Sequence, residues 1–162
     1  MSRAFVREDD VARPEAPPEH PVSAAPNLVT PRGLRLIEAK VAATEAGLEP
    51  LDPESEQAAR LRRDLRYWSL RHATARLTLP DPEERAAQFG SSVTYAGEDG
   101  VAKTVTITGE DEADPTTGHI AYTAPVARAL LGAEAGASVS VTLGPRRMEL
   151  DILKVEIVPE VD

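Results

Sequence analysis

The hydrophobic period of this chain changes once, across Leu79-Pro80-Asp81-Pro82. Upstream, Leu34, Ile37 and Val41 recur at helical spacing, and so do Leu61, Leu65, Trp68, His72 and Ala75. Downstream, apolar residues alternate with polar ones: Val93 and Tyr95, Val105 and Ile107, Ile120 and Tyr122, Leu150 and Ile152. The first spacing lines one face of an α-helix and the second one face of a β-strand. Proline interrupts both kinds of element. The chain is therefore expected to fold as helices first and a sheet second, an α+β arrangement.

Thr30-Pro31 and Asp52-Pro53 each place an N-cap residue before an N1 proline, so each reads as a helix start. Gly47 and Pro50 are expected to stop the first helix. Only a few residues then separate the two, which predicts an antiparallel pair with a short heptad seam. His72 on that seam reads as a packed histidine, and Trp68 as core. In the second half, E-D-G joins two strand patterns. Ala124-Pro125 opens a short helix, stopped by Gly132. Gly144-Pro145 turns between two last strands, Val139–Leu143 and Met148–Val158. The divisions expected are 1–27 a flexible proline-rich tail, 28–79 the helical hairpin, 80–88 a linker and 89–162 the β domain, the last folding on its own. Within the tail, Phe5 of Met1–Val6 is a candidate for docking elsewhere.

Charge narrows the function. Residues 1–80 carry twelve bases and twelve acids, whereas residues 81–162 carry six and fifteen, so the net −9 resides in the second half. Such a surface argues against independent sequence-specific DNA binding, which needs clustered cations on phosphates. With no cysteine, thiol catalysis and Cys-based zinc sites are excluded. No apolar run is long enough to span a membrane, and M-S-R-A-F-V-R-E-D-D has no signal-peptide core. The expectation is a cytoplasmic protein. No phosphate loop, Ser-His-Asp set or HExxH occurs, so it is not expected to be an enzyme.

Two charged stretches stand side by side. Residues 45–57 hold five acids and no base, and residues 60–76 hold six arginines and one aspartate. Glu49, Asp52, Glu54 and Glu56 gather at the bend between the helices. Asp52 and Glu54 also suit a helix start, where an acid complements the helix dipole. Glu45 and Glu49 lie at the opposite end of a dipole, which helix-start chemistry does not explain. Arg62, Arg63 and Arg66 share about one third of the second helix, as a solvated face or as a basic patch.

Residues 109–132, G-E-D-E-A-D-P-T-T-G-H-I-A-Y-T-A-P-V-A-R-A-L-L-G, resemble the C-terminal domain of the bacterial GreA/GreB transcript cleavage factors. Phe89-Gly90-Ser91, the V-x-V-T of 139–142 and L-D-I-L-K-V-E-I-V fit the same pattern, and Thr123-Ala124 replaces its usual Ser. The resemblance implies an FKBP-like antiparallel β domain with one short helix, following a coiled-coil hairpin. It implies a bacterial factor that binds RNA polymerase at the rim of the secondary channel. Asp111, Glu112, Asp114, Pro125, Arg128 and Leu131 are then its polymerase contacts. The hairpin would enter the channel, with Arg62, Arg63 and Arg66 facing the nascent RNA 3′ end. Glu49, Asp52, Glu54 and Glu56 would touch a Mg²⁺ shared with the polymerase, the protein having no cofactor of its own. Carboxylate oxygens suit Mg²⁺, and a second metal can activate water for RNA cleavage.

The family's D-x-x-E tip is missing, and the hairpin is shorter than in GreA or GreB. In this the chain is similar to the regulator-of-nucleoside-diphosphate-kinase branch, a non-cleaving protein-interaction regulator. Proline isomerisation, suggested by the fold alone, needs an aromatic-lined pocket, and residues 81–162 offer only Phe89, Tyr95 and Tyr122. The chain is expected to act as a monomer.

Overall fold

The computed structural model describes residues 15–159. The expectations for Met1–Val6 and Phe5 lie outside the described residues.

Helix α1 spans Pro31–Leu48 and starts as its sequence requires: the Thr30 hydroxyl accepts from the Gly33 N–H, and Pro31 occupies the first turn. It passes through Gly47 and is capped at Glu49, one residue before Pro50. Helix α2 spans Glu56–Thr74. Its N-cap is Ser55, which accepts from the Ala58 N–H at 3.1 Å, and not Asp52 as expected. Asp52 instead accepts from the Glu54 N–H at 3.0 Å and closes a turn before the helix.

The two helices run antiparallel. Glu38 meets His72 at 3.7 Å and Lys40 lies over the Trp68 ring at 5.9 Å. A Cβ on Gly47 would sit 3.3 Å from Leu61, so the missing side chain lets the helices close near their far ends. Ile37, Thr44 and Ala58 are buried on the facing surfaces. The expected seam is shifted at its end: His72 is half exposed and pairs with Glu38, while its neighbour Arg71 is 3% exposed. Strands β1 (Leu28–Val29) and β2 (Arg76–Leu77) pair in parallel and tie together the chain entering α1 and leaving α2.

Strands β3 (Ser92–Ala96), β4 (Ala102–Thr108), β5 (His119–Ala121), β6 (Ser138–Leu143) and β7 (Arg146–Glu156) form one sheet in the order β5-β4-β3-β7-β6. All neighbours are antiparallel except β4 and β5, so the expected antiparallel domain carries one parallel edge strand. A 3₁₀ turn over Pro115–Thr117 connects β4 to β5 on the same edge. Helix α3 (Pro125–Leu130) packs on the sheet: Ala127 and Leu130 join Val93, Ile107, Leu150 and Ile152 in a dry core. Gly132 follows α3 with φ +83°, the left-handed conformation that the glycine supplies.

Two divisions differ from expectation. The 80–88 segment is built into the sheet domain: Ala87 is buried, its N–H donates to Ala133 O at 2.8 Å, and its carbonyl accepts from Gly132 N at 2.8 Å. The stretch expected to be a flexible tail is, over 15–27, laid along α2. His20 Nε2 bonds Asp64 at 2.6 Å, and Asn27 Nδ2 donates to Arg71 O at 2.7 Å. Proline fixes φ and lowers the entropy lost on ordering, so polar anchors suffice where apolar burial is small.

The helical and β parts touch backbone to backbone at Gly109. A Cβ there would lie 2.4 Å from Leu28 O, a main-chain atom that cannot swing aside. Gly109→Ala should force β1 away from the end of β4 and cost about 1–3 kcal/mol, read as a lowered midpoint in denaturant unfolding.

Candidate functional site

The loop after β4, Gly109–Asp114, opens the stretch that carries the sequence resemblance, and each of its acids has a different partner. Glu110 Oε1 accepts from Ser23 Oγ at 3.0 Å and from Thr123 Oγ1 at 2.9 Å. Asp111 accepts from Tyr67 Oη and Arg71 Nε of α2, both at 2.5 Å. Glu112 accepts from Thr30 Oγ1 at 2.6 Å and Arg32 Nη1 at 3.1 Å, at the start of α1. Asp114 stays local and caps the 3₁₀ turn, accepting from Thr116 N at 3.0 Å.

Burial separates these roles. The side chains of Arg71 and Asp111 are 3% and 8% exposed, and that of Glu112 is 2% exposed. Asp111 and Glu112, expected as polymerase contacts, are therefore turned into the junction between the helices and the sheet. The physical reason is charge pairing: a buried carboxylate needs a cation and donors, and α1 and α2 supply them. Gly33 makes room, since a Cβ there would lie 2.7 Å from Glu112 Oε2. Glu112 also sits at the N-terminus of α1, where the helix dipole favours negative charge. Sequence reasoning missed Thr30, Gly33, Tyr67 and Arg71 as members of this junction. Gly33 in the first turn of a helix was the one local signal.

The remaining expected contacts are distributed on the surface of the sheet domain. Asp114, Pro125 and Arg128 are exposed, and Leu131 is half-buried at the end of α3. Pro125 and Arg128 border a shallow depression of ≈ 320 Å³ with Ala129 and Ser140–Thr142.

The acidic bend lies at the far end of the helix pair. Eighteen helical residues place it about 27 Å from the junction. Glu49 and Glu54 are exposed there, Asp52 is used in its turn, and Glu56 pairs with Arg60 at 2.5 Å. Among the described residues no group of three or more acids or histidines could hold a metal alone.

The arginine face is partly neutralised from within. Arg63 forks onto Asp64 at 3.0 and 2.8 Å, and Arg66 forks onto Glu19 of the N-terminal segment. Arg62 is exposed near Glu15, Glu54 and Glu56. The Arg66 hydrogen bond holds the Glu19 carboxyl below its ordinary value.

Burial, and then the bond to Asp111, push the Tyr67 phenol up to about 12. Because the folded value lies above the unfolded one of about 10, the stabilisation is full below pH 10 and lost as pH rises to 12. The stability difference between the parent and Tyr67→Phe should therefore shrink across that window, as read by denaturant unfolding at each pH. Asp111→Ala leaves Arg71 buried and unpaired and should cost about 3–5 kcal/mol. Arg71→Met combined with Asp111→Leu should cost less than Asp111→Ala alone.

Comparisons with known proteins bear on the whole arrangement. The family model described as "Transcription elongation factor, GreA/GreB, C-term" matches residues 82–157. The chain is 47% identical over 68 residues to transcription elongation factor GreA of Desulfovibrio desulfuricans, covering 41% of this chain and 42% of that protein. The chain thus matches less than half the length of that relative. It is 33% identical over 157 residues to GreA of Chloroflexus aggregans, covering 93% of this chain and 96% of that protein. Among solved structures, a prokaryotic transcription elongation factor GreA/GreB from Nitrosomonas europaea aligns at 18% identity with a TM-score of 0.40, covering 79% of this chain and 97% of that one. No helix among the described residues is long and apolar enough to cross a membrane. On the full-length similarity to the Chloroflexus protein, the chain belongs to the GreA/GreB family of transcription elongation factors.

Proposed function

We propose that this protein binds RNA polymerase at the rim of its secondary channel through the sheet domain, and that the helix pair reaches inward to modulate elongation. The observation that carries this reading is the similarity over nearly the whole chain to a transcription elongation factor, helices included. The geometry supports it: exposed acids stand at the end of an arm whose root is fixed by the buried loop. The coiled-coil character of the arm and the FKBP-like character of the sheet domain belong to the same reading.

Pro125 and Arg128 are the surface positions assigned to the polymerase contact. With them go Asp114 and Leu131 at its edges. Asp111 and Glu112 act through the junction, by fixing the arm's direction. At the tip, Glu49, Asp52, Glu54 and Glu56 place negative charge beside the Mg²⁺ of the polymerase. Glu49 and Glu54 can approach it directly, because they are exposed and their carboxylates are not used in the Asp52 turn or in the Arg60 pair.

Strong cleavage of backtracked RNA is not the expected activity. The D-x-x-E pattern is missing, and Asp52 and Glu56 are already engaged. Occupancy of the channel and competition for Mg²⁺ are the modes this arm suits. The second reading, a non-cleaving protein-interaction regulator of the nucleoside diphosphate kinase regulator type, is favoured by the same short arm.

Arg128→Glu is exposed and should abolish co-purification with RNA polymerase while leaving circular dichroism unchanged. Asp114 is left intact in that test because it caps a turn. Replacing Glu49, Glu54 and Glu56 with Ala and Asp52 with Ser should keep polymerase binding. It should remove the effect on RNA length in a stalled, backtracked complex. An acid-free variant that alters transcription as the parent does would reduce the tip to turn and helix-start chemistry.

A further inference from the structure

The N-terminal segment Glu19–Asn27 is attached in two unlike ways. Its root is held at the junction: Tyr122 Oη donates to Pro26 O at 2.5 Å, and Asn27, itself buried, donates to Arg71 O at 2.7 Å and to Thr74 Oγ1 at 3.1 Å. Its outer part lies on exposed groups of α2. The side chains of Glu19 and Arg66 are 62% and 56% exposed. His20 is bonded to Asp64 and stands edge-on to the Tyr67 ring at 5.5 Å between centroids. Exposed ion pairs of this kind hold weakly and are screened by salt. The segment is thus built to lift from α2 at Glu19 and His20 while staying tethered at Pro26 and Asn27.

What it covers has a definite chemistry. Both Glu19 carboxylate oxygens accept from Arg66 Nε, at 3.1 and 3.2 Å, and one also accepts from Nη2. That two-point fit is how a guanidinium takes a phosphate as well as a carboxylate. One residue on, the His20 ring meets Tyr67, which in turn meets Trp68 edge-on at 5.0 Å. An anion on an arginine with a ring against the adjacent aromatic, here edge-on where a base would stack, is the pair of groups that one nucleotide presents to a single-strand binding surface. The adjoining Arg62, exposed, extends the positive face along α2, while Arg63 is taken up by Asp64.

We infer that Glu19 and His20 form a displaceable strap that mimics a nucleotide on α2 and gates a single-stranded nucleic-acid surface centred on Arg66 and Tyr67. The inference concerns the isolated protein and does not depend on its binding to polymerase. A tethered competitor acts at high effective concentration, and it lowers apparent affinity by the fraction of time that the face is open. Prolines 17, 18 and 21 flank the two residues and keep the strap extended, so little ordering entropy is lost each time it returns. The acidic balance of the second half of the chain adds a sequence-independent penalty to any nucleic acid, and the strap adds a local one.

The test is fluorescence anisotropy of a labelled oligouridine titrated with full-length protein at low salt. The parent is compared with Glu19→Gln/His20→Ala, and with that variant carrying Arg66→Gln. The double variant should bind about tenfold more tightly than the parent, and Arg66→Gln should cancel the gain. The gain should fall as salt rises, because phosphate contacts release counterions. Equal affinity of parent and double variant would overturn the inference. A gain that survives Arg66→Gln would overturn it too, since the uncovered surface would lie elsewhere. Polymerase co-purification, measured on the same variants, reports the reading of the preceding section separately.

Discussion

Asp111 lies between Tyr67 and Arg71 of α2, bonded to each at 2.5 Å, and the relation between the two halves of the molecule depends on that contact. It comes from a loop of the sheet domain and ends on a helix residue forty positions away. Its neighbours complete the joint: Glu112 takes the start of α1, and Glu110 takes the N-terminal segment. Three successive acids thus hold three separate stretches of chain. A buried ion pair contributes little net stability over a well-packed apolar substitute, because both charges lose their water. What it supplies here is direction. Arg71 has one buried carboxylate to meet, and the Tyr67 hydroxyl has the same one. A helix pair rotated about its axis would leave both charges unpaired in a dry interface.

The glycines at the joint follow from the same constraint. Gly33 leaves room for the Glu112 carboxylate, and Gly109 lets the end of β4 lie against the Leu28 carbonyl. With the root fixed so closely, the bend at Glu49–Glu56 is carried about 27 Å outward in a defined direction. Under the proposed function the arm places charge inside a narrow channel, which needs that kind of root. The sheet domain needs only an accessible face, which α3 offers at Pro125 and Arg128. In that proposal, fixing the arm and meeting the partner fall to different residues of one conspicuous motif.

The local parts of this fold were legible in the sequence, and the joint was not. Thr30-Pro31 marked the start of α1 because N-cap chemistry is confined to one turn. Alternation along β3, β4 and β7 was readable because a half-buried strand shows it residue by residue. Asp52-Pro53 misled by three residues: an aspartate can close a turn as readily as it can cap a helix, and Ser55 was the better-placed cap. Arg71 looked like one more exposed arginine in a basic run, and Asp111 like one more surface acid. Their pairing joins positions that no helical or strand period connects. The segment before Asn27 read as a free tail because it is proline-rich and shows no hydrophobic period, whereas its anchors are polar and lie on distant elements. The G-E-D-E-A-D stretch was read as a contact for a partner, whereas its Asp111 and Glu112 serve an internal joint.

The central claim is that the Asp111 contact fixes the direction of the arm, and the absence of cysteine makes it directly measurable. Cysteines placed at the exposed positions Gln57 and Thr142 would carry spin labels for pulsed dipolar spectroscopy on the full chain. The account predicts one narrow distance distribution in the parent, which broadens when Asp111→Asn removes the charge facing Arg71. A broad distribution in the parent, or one left unchanged by Asp111→Asn, would contradict it.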